Sequence, residues 1–373
     1  MSAPALALDG LKRRNCFHDY AVASVPMRLQ QKLETAAPDW LASADFALRY
    51  AFPPAQRVWI RLDECGSLQH AYYYNEERSP LGKRILLNGP VEMEMSEAHE
   101  LLLCRKAVRL DVLRMSTRNF AETRPGMTKP RVTFYGEDVM VAMPATREQL
   151  LASLGSNKRQ QIGKYKRRLQ KEWPSGIEWV SLSKSEITEA MFRAVVQFNS
   201  LRLSAKGRRT LWREAMITQR WELATNTGLL CGVRVDGKFV SGAVSYLYGQ
   251  DAYYVLIGHD PEYDYWNLGN LTTWLTMEKC LERGIRRFHF LWGLSEYKLR
   301  FGGEAKPLYT LSIYRNFPAK ILFSSMDLIP AFKAALRRTA HKIQISLRNS
   351  EFGRRLSARL RRTSGPRQDS GAN

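Results

Sequence analysis

No window of this 373-residue chain approaches the ~20 apolar residues in a row that a bilayer-spanning helix needs, so no membrane span is expected. Cysteine is scarce. The five (Cys16, Cys65, Cys104, Cys231, Cys280) are odd in number, widely spaced and never in a CxxC pair, which speaks against a disulfide framework or a thiolate zinc site. None of the six histidines belongs to an HExxH, and no His, Asp and Glu cluster falls at metal-ligand spacing, so no metal is expected. The start, MSAPALALDGLKRRNCF, lacks the basic flank and following apolar run of a secretory signal. Reduced thiols and no such signal lead to the expectation of a cytoplasmic protein.

What is present is the composition of a folded globule, with 45% hydrophobic and 25% charged residues. At about 100–200 residues per domain, the length suits two domains, or one large fold with an extension. The formal charge of +21 predicts attraction to anions, but it is not spread evenly. Ser156–Glu172 holds seven basic residues and one acid, and Lys333–Arg362 holds ten and one, so two short segments carry most of the excess. The remainder is a nearly balanced globule.

The local patterns predict alternating strands and helices, an α/β (α+β) chain. Short strand-like runs dominate from Phe46 to Met143: Arg57–Leu62, Ala71–Tyr74, Arg84–Leu87, Val132–Tyr135 and Val139–Met143, with a helix around Ser96–Arg105. Thr146 can cap a helix through Glu148 and Leu154. In SNKRQQIGKYKRRLQKE, Ser156 is the N-cap candidate, and Ile162, Tyr165 and Leu169 form one narrow apolar stripe with basic residues over the rest. From Gly228 the pattern is clearer. Two strands, Leu229–Arg234 and Lys238–Tyr248, flank the hairpin dipeptide Asp236-Gly237, and a third, Ala252–Ile257, follows. The loop HDPEYDYWNLGN leads into a helix ending at Gly284, then the strands Arg286–Leu291 and Pro307–Tyr314. An antiparallel meander running into one βαβ crossover is thus expected. No internal repeat is visible.

Chemistry is expected in two places. A helix N-terminus after Trp266-Asn267-Leu268-Gly269-Asn270 offers unpaired N–H groups to an anion, with Gly269 permitting close backbone approach. The segment FHFLWGLSEYKLRFG carries a strand into Gly293 and then a short helix bearing Tyr297-Lys298, a phenol and an ammonium suited to proton delivery or to holding an anion. His259, after the third strand and beside Asp260, is a candidate base, weighed against a loop-stabilising pair.

Together the NLGN loop, the Phe-framed strand with Tyr-Lys, the SNKRQQIGKYKRRLQ helix and Phe198-Asn199-Ser200-Leu201-Arg202-Leu203-Ser204-Ala205-Lys206-Gly207 resemble the CelD/BcsL-like group of the GNAT superfamily, related to the FemAB peptidyltransferases. The last segment resembles a pattern of Leu-His, then Arg, then Lys-Gly; here Asn199 stands where His is common. The resemblance implies tandem GNAT-like units with mixed sheets flanked by helices, plus a basic helical tail: 1–145 as an N-terminal half with lead-in, 146–318 as the acyltransferase core, and 319–373 as the tail. It implies an acyl-CoA-dependent N- or O-acyltransferase, with acetyl-CoA or another acyl-CoA as donor, acting on an envelope or polysaccharide precursor or another small or sugar-linked acceptor. The expected site has Tyr297, Lys298 and His259 as catalytic residues, Asn267, Leu268, Gly269 and Asn270 around the cofactor, and Arg202, Lys206 and Trp292 at the acceptor. Two alternatives stay open. One is FemAB-like transfer from aminoacyl-tRNA, with the basic helix on RNA phosphates. The other is a nucleic-acid- or membrane-surface-binding protein without catalysis. The basic amphipathic stretch 333–362 is expected to seek anionic lipid, placing the protein peripherally at the inner membrane face.

Overall fold

Twelve strands join into a single mixed sheet in the order β1-β2-β3-β4-β5-β12-β6-β11-β10-β9-β8-β7. The computed structural model describes residues 16–35, 43–115 and 128–323, less 44, 52, 53, 64, 90–92, 206, 209 and 211. The chain divides at Arg315, with Met1–Arg315 as one unit and Asn316–Asn373 as another. The segment 333–362 lies outside the described residues.

The first half runs β1 (Cys16–Ala21), α1 (Met27–Thr35), β2 (Arg57–Leu62), β3 (Leu68–Ser79), β4 (Gly82–Leu87), α2 (Met95–Cys104), β5 (Arg109–Met115) and β6 (Arg131–Ala142). Two helices follow, α3 (Arg147–Ser153) and α4 (Ser156–Glu172). The second half runs β7 (Ile177–Ser183), α5 (Glu189–Ser204), α6 (Glu214–Thr227), β8 (Gly228–Val235), β9 (Lys238–Tyr248), β10 (Asp251–His259), α7 (Leu268–Glu282), β11 (Arg287–Trp292), α8 (Glu296–Arg300) and β12 (Glu304–Tyr314).

Written side by side, the halves repeat. Each begins with a strand and helical segment, continues as an antiparallel meander, and crosses over a helix into a parallel strand: β4 beside β5 in the first, β10 beside β11 in the second. The closing strands are exchanged. β6, the last strand of the first half, pairs with β11 of the second, β12 pairs with β5 of the first, and β6 and β12 pair with each other at the centre. This exchange makes one continuous sheet of the two halves. The repeat is invisible in sequence because a backbone pattern needs only matching apolar periodicity, not matching residues.

The sheet's second half is covered on both faces. Leu150, Ile162, Leu169, Leu271 and Trp274 pack on one, and Phe192, Val195, Val196 and Leu223 on the other. Double coverage explains why Gly228–Val235 is apolar almost throughout instead of alternating. Local expectations are largely met. Asp236 and Gly237 both take positive φ in the two-residue turn between β8 and β9. The Thr146 hydroxyl accepts from the Gln149 N–H at the start of α3, and Gly284 ends the α7 segment with φ of 76°. Three differences stand out. The runs 132–135 and 139–143 are one strand. The strands Arg109–Met115 and Ile177–Ser183, absent from the expected set, are inner and edge members of the sheet. Ser156 is the first residue of α4 and not its cap, a position taken by Gly155.

Candidate active site

Where β10 and β11 part, the sheet opens. Their parallel ladder joins Asp251–Tyr253 to Arg287–His289 and stops there, although β10 continues to His259 and β11 to Trp292. A bulge in β10 between Tyr254 and Leu256 turns the strand away from its neighbour, as an unpaired extra residue does. The parting lies at the carboxyl ends of two parallel strands, where open α/β sheets bind ligands. Among the described residues, the first half shows no such gap. There Gly89 lies so close to the Leu113 carbonyl that a Cβ would come within 2.0 Å of it, keeping the continuation of β4 against β5.

Helix α7 begins at the mouth of this gap. Asn267 takes left-handed backbone angles (φ 54°, ψ 44°), an accommodation Asn makes more readily than most residues. Its side chain does not cap the helix; its Oδ1 accepts from Asn270 Nδ2 at 2.5 Å, and the first turn holds no acid. Leu268 is core, while a Cβ at Gly269 would touch only the His259 ring, 3.4 Å from its Nδ1. The four loop residues therefore sit together at one uncapped helix start with an open backbone edge, as an anion seat requires.

The walls of the gap carry the phenols. Tyr254, on β10, shares a hydrogen bond with Thr273 Oγ1 at 2.9 Å, and Thr273 in turn donates to the Gly269 carbonyl. The Tyr297 ring packs edge-on against Phe290, 5.9 Å between centroids, and remains partly exposed. Burial raises the pKa of both phenols, and the positive charge of Arg202 acts on both in the opposite sense. Arg202 comes from α5, on the other face of the sheet. Its Nε is buried and has no hydrogen-bond partner among the described residues. Tyr297 is thus a neutral phenol at physiological pH with a guanidinium nearby, able to give a proton and tolerate the resulting charge.

Lys298 is placed differently from expectation. Its ammonium neither reaches the gap nor pairs with Glu296, which binds Arg300. It donates to the carbonyls of Leu291, Trp292 and Gly293, each at 2.9 Å, and these three acceptors match its three protons. Burial lowers its pKa to about 8, so it is still protonated at neutral pH. The correction has a physical reason. Leu291 and Gly293 both take positive φ, the chain reverses, and three successive carbonyls converge on one point that needs a cation.

The partner of His259 also differs: its Nε2 meets Asp264 Oδ1 at 2.6 Å, whereas Asp260 caps the next turn and binds Lys238. His259 still lines the α7 start. The Trp292 ring meets Phe46 and Arg114 and not Tyr297, so it stands apart from the phenols. Lys206 lies outside the described residues. Asn199 takes no acid–base position; its Nδ2 donates to the Ile257 carbonyl at 2.8 Å, holding α5 to the bulged part of β10. Lys158 is the residue that the charge reading missed. It is 5% exposed and donates to Asn270 Oδ1, tying α4 to the α7 start. The available signal was its spacing, four residues before Ile162 on the apolar stripe.

Residues 156–299 match the family model of an acetyltransferase (GNAT) domain. The match begins at the first residue of α4 and ends within α8, so it contains the gap, the α7 start, Arg202 and Tyr297. No curated protein matches the chain in sequence. Among solved structures, a crystal structure of FemX is similar at 12% identity and a TM-score of 0.59, covering 82% of this chain and 99% of that one. A conserved protein of unknown function from Bacteroides thetaiotaomicron VPI-5482 is similar at 10% identity and a TM-score of 0.52, covering 78% and 98%. These likenesses extend the shared fold beyond residues 156–299 to both halves of the sheet. Among the described residues no cluster of His, Cys, Asp and Glu could hold a metal, and no helix is long and apolar enough to cross a membrane.

Proposed function

We propose that the protein is an acyl-CoA-dependent N- or O-acyltransferase, with acetyl-CoA as the simplest donor and an envelope or polysaccharide precursor as acceptor, as in the CelD/BcsL-like group. The observation that carries this reading is the parting of β10 from β11 with the uncapped start of α7 at its mouth. It fits an extended thioester donor with an anionic end: the strands leave a slot, and Gly269 leaves the helix start open. The donor supplies an activated carbonyl. The N–H groups around Leu268 and Gly269 hold its diphosphate, and the Thr273–Tyr254 pair lines the slot. Arg202 holds an anionic group of the acceptor beside the reacting centre. As the acceptor's N–H or O–H attacks the thioester carbon and the C–S bond breaks, Tyr297 gives its proton to the departing sulfur while the acceptor's proton leaves to solvent. Lys298 keeps the Gly293 turn, and hence Tyr297, in place. The cationic stretch 333–362 brings the enzyme to anionic lipid, where such acceptors reside.

A donor screen tests this directly. The purified protein should transfer the acyl group of an acyl-CoA to a sugar-linked amine or hydroxyl, read as a mass increment on the acceptor. Gly269→Trp should abolish CoA binding in calorimetry by filling the helix start. If the protein ignores every acyl-CoA but takes an amino acid from charged tRNA, the FemAB-like alternative replaces this reading.

A further inference from the structure

Beside the α7 start lies a second cavity, about 350 Å³, between the first turn of α4 and the end of α8. Asn157, Lys158 and Gln161 line it from α4, Leu299 and Arg300 from α8, and Ser153 from the end of α3. No lining residue is acidic. Helix α4 opens onto it after Gly155 with no side-chain cap and no acid in its first turn, so a 17-residue helix directs its positive end there.

A helix start alone would mean little. The second observation is Lys158. Its ammonium is buried in the cavity wall, yet its partners are neutral: Asn270 Oδ1, and the Phe301 ring 3.9 Å away. The charge that acts on it is that of another cation, Arg300, itself bound to Glu296. Burial, with a smaller push from Arg300, lowers its pKa to about 8. A buried ammonium facing a second cation, with no carboxylate partner among the described residues, is costly unless an anion joins it. Its hydrogen bond to Asn270 ties the cavity wall to the NLGN loop.

We infer that this cavity seats a phosphate of the acyl donor's nucleotide end, so that α4, which precedes the meander and crossover, forms part of the donor site. The inference rests on the acyl-CoA reading for the identity of the donor, but not for the chemistry of the seat. The seat's chemistry is that of a phosphate: two cations, helix N–H groups and the Asn157 and Gln161 amides converge on a space without acids.

Calorimetric titrations with CoA and, separately, with inorganic pyrophosphate test the seat in the full chain. Asn157→Asp is the informative variant. A carboxylate in the first turn favours the helix, so the thermal midpoint should hold or rise, while the same charge in the cavity repels phosphate. Both ligands should bind at least tenfold more weakly to Asn157→Asp, and to Lys158→Gln if that variant folds. Equal CoA affinity in wild type and Asn157→Asp would remove the seat and leave the acyl-CoA reading standing. Pyrophosphate binding lost in Asn157→Asp, in a protein that never binds CoA, would keep the seat and remove that reading. Wild-type protein that binds neither ligand would overturn both.

Discussion

Tyr297 and Lys298 are neighbours with opposite surroundings, because adjacent helical residues point about 100° apart. The phenol faces the gap and the ammonium faces three carbonyls. This division makes distinct predictions. Tyr297→Phe should lower kcat at least tenfold with CoA affinity unchanged, since only proton delivery to sulfur is lost. Arg202→Met should lower kcat/KM for the acceptor at least tenfold, about 1.4 kcal/mol, without changing CoA binding. Lys298→Met should instead cost about 3 kcal/mol of stability in urea unfolding, because three converging carbonyls lose a charged donor. A stable Lys298→Met protein with a selective loss of acceptor affinity would return Lys298 to the acceptor site. The Tyr-Lys pair was legible in the sequence; which member faces the reaction was not, since that depends on a backbone reversal at Leu291 and Gly293 that no local pattern announces.

At the scale of elements, the site depends on how closely α5 approaches the bulged end of β10. Gly258 marks that approach: a Cβ there would come within 2.5 Å of the Asn199 nitrogen and 2.7 Å of Phe198 Cβ. Gly258→Ala should therefore destabilise the protein by about 1–3 kcal/mol, the usual cost of overpacking, and reduce activity by moving Arg202. Denaturant unfolding and turnover measured on the same preparation check both. Strong local signals carried the hairpin, the α7 stop and the meander. The inner strand Arg109–Met115 was missed because RLDVLRM places charges where an inner strand is expected to be apolar. Tertiary pairing supplies what the pattern hides: buried Arg109 and Asp111 bind each other, and Arg84 and Ser312 also contact Asp111.

Across the whole molecule, His289 of β11 ties the exchanged strand β6 to β10 of the second half. Its Nδ1 faces Asp138 Oδ2 of β6 at 2.9 Å, and its Nε2 faces Asp251 Oδ1 of β10 at 3.1 Å. Burial alone would lower its pKa, but hydrogen bonds to the two carboxylates overcome that and raise it to about 9. A His pKa raised above its ordinary 6.5 stabilises the fold fully below pH 6.5 and loses that contribution as pH climbs towards 9. Between pH 6.5 and 8 the wild type should therefore lose about 2 kcal/mol of unfolding free energy relative to His289→Asn, whose profile should be flatter. Parallel slopes in urea titrations at several pH values would show that the pair of carboxylates does not hold the proton.

Much was determined by the sequence alone. Apolar periodicity set most second-half strands, Asp236-Gly237 and Gly284 set turns, and the ordered motifs pointed to a GNAT domain, because each of these depends on residues close together in the chain. Only the tertiary structure decided the exchange of β6 and β12, the parting of β10 from β11, and the fates of Lys158 and Lys298. A lysine's charge is written in the sequence, but whether it meets water, an amide or three carbonyls depends on groups brought from elsewhere in the chain. For Lys158 that group is Asn270, 112 residues away.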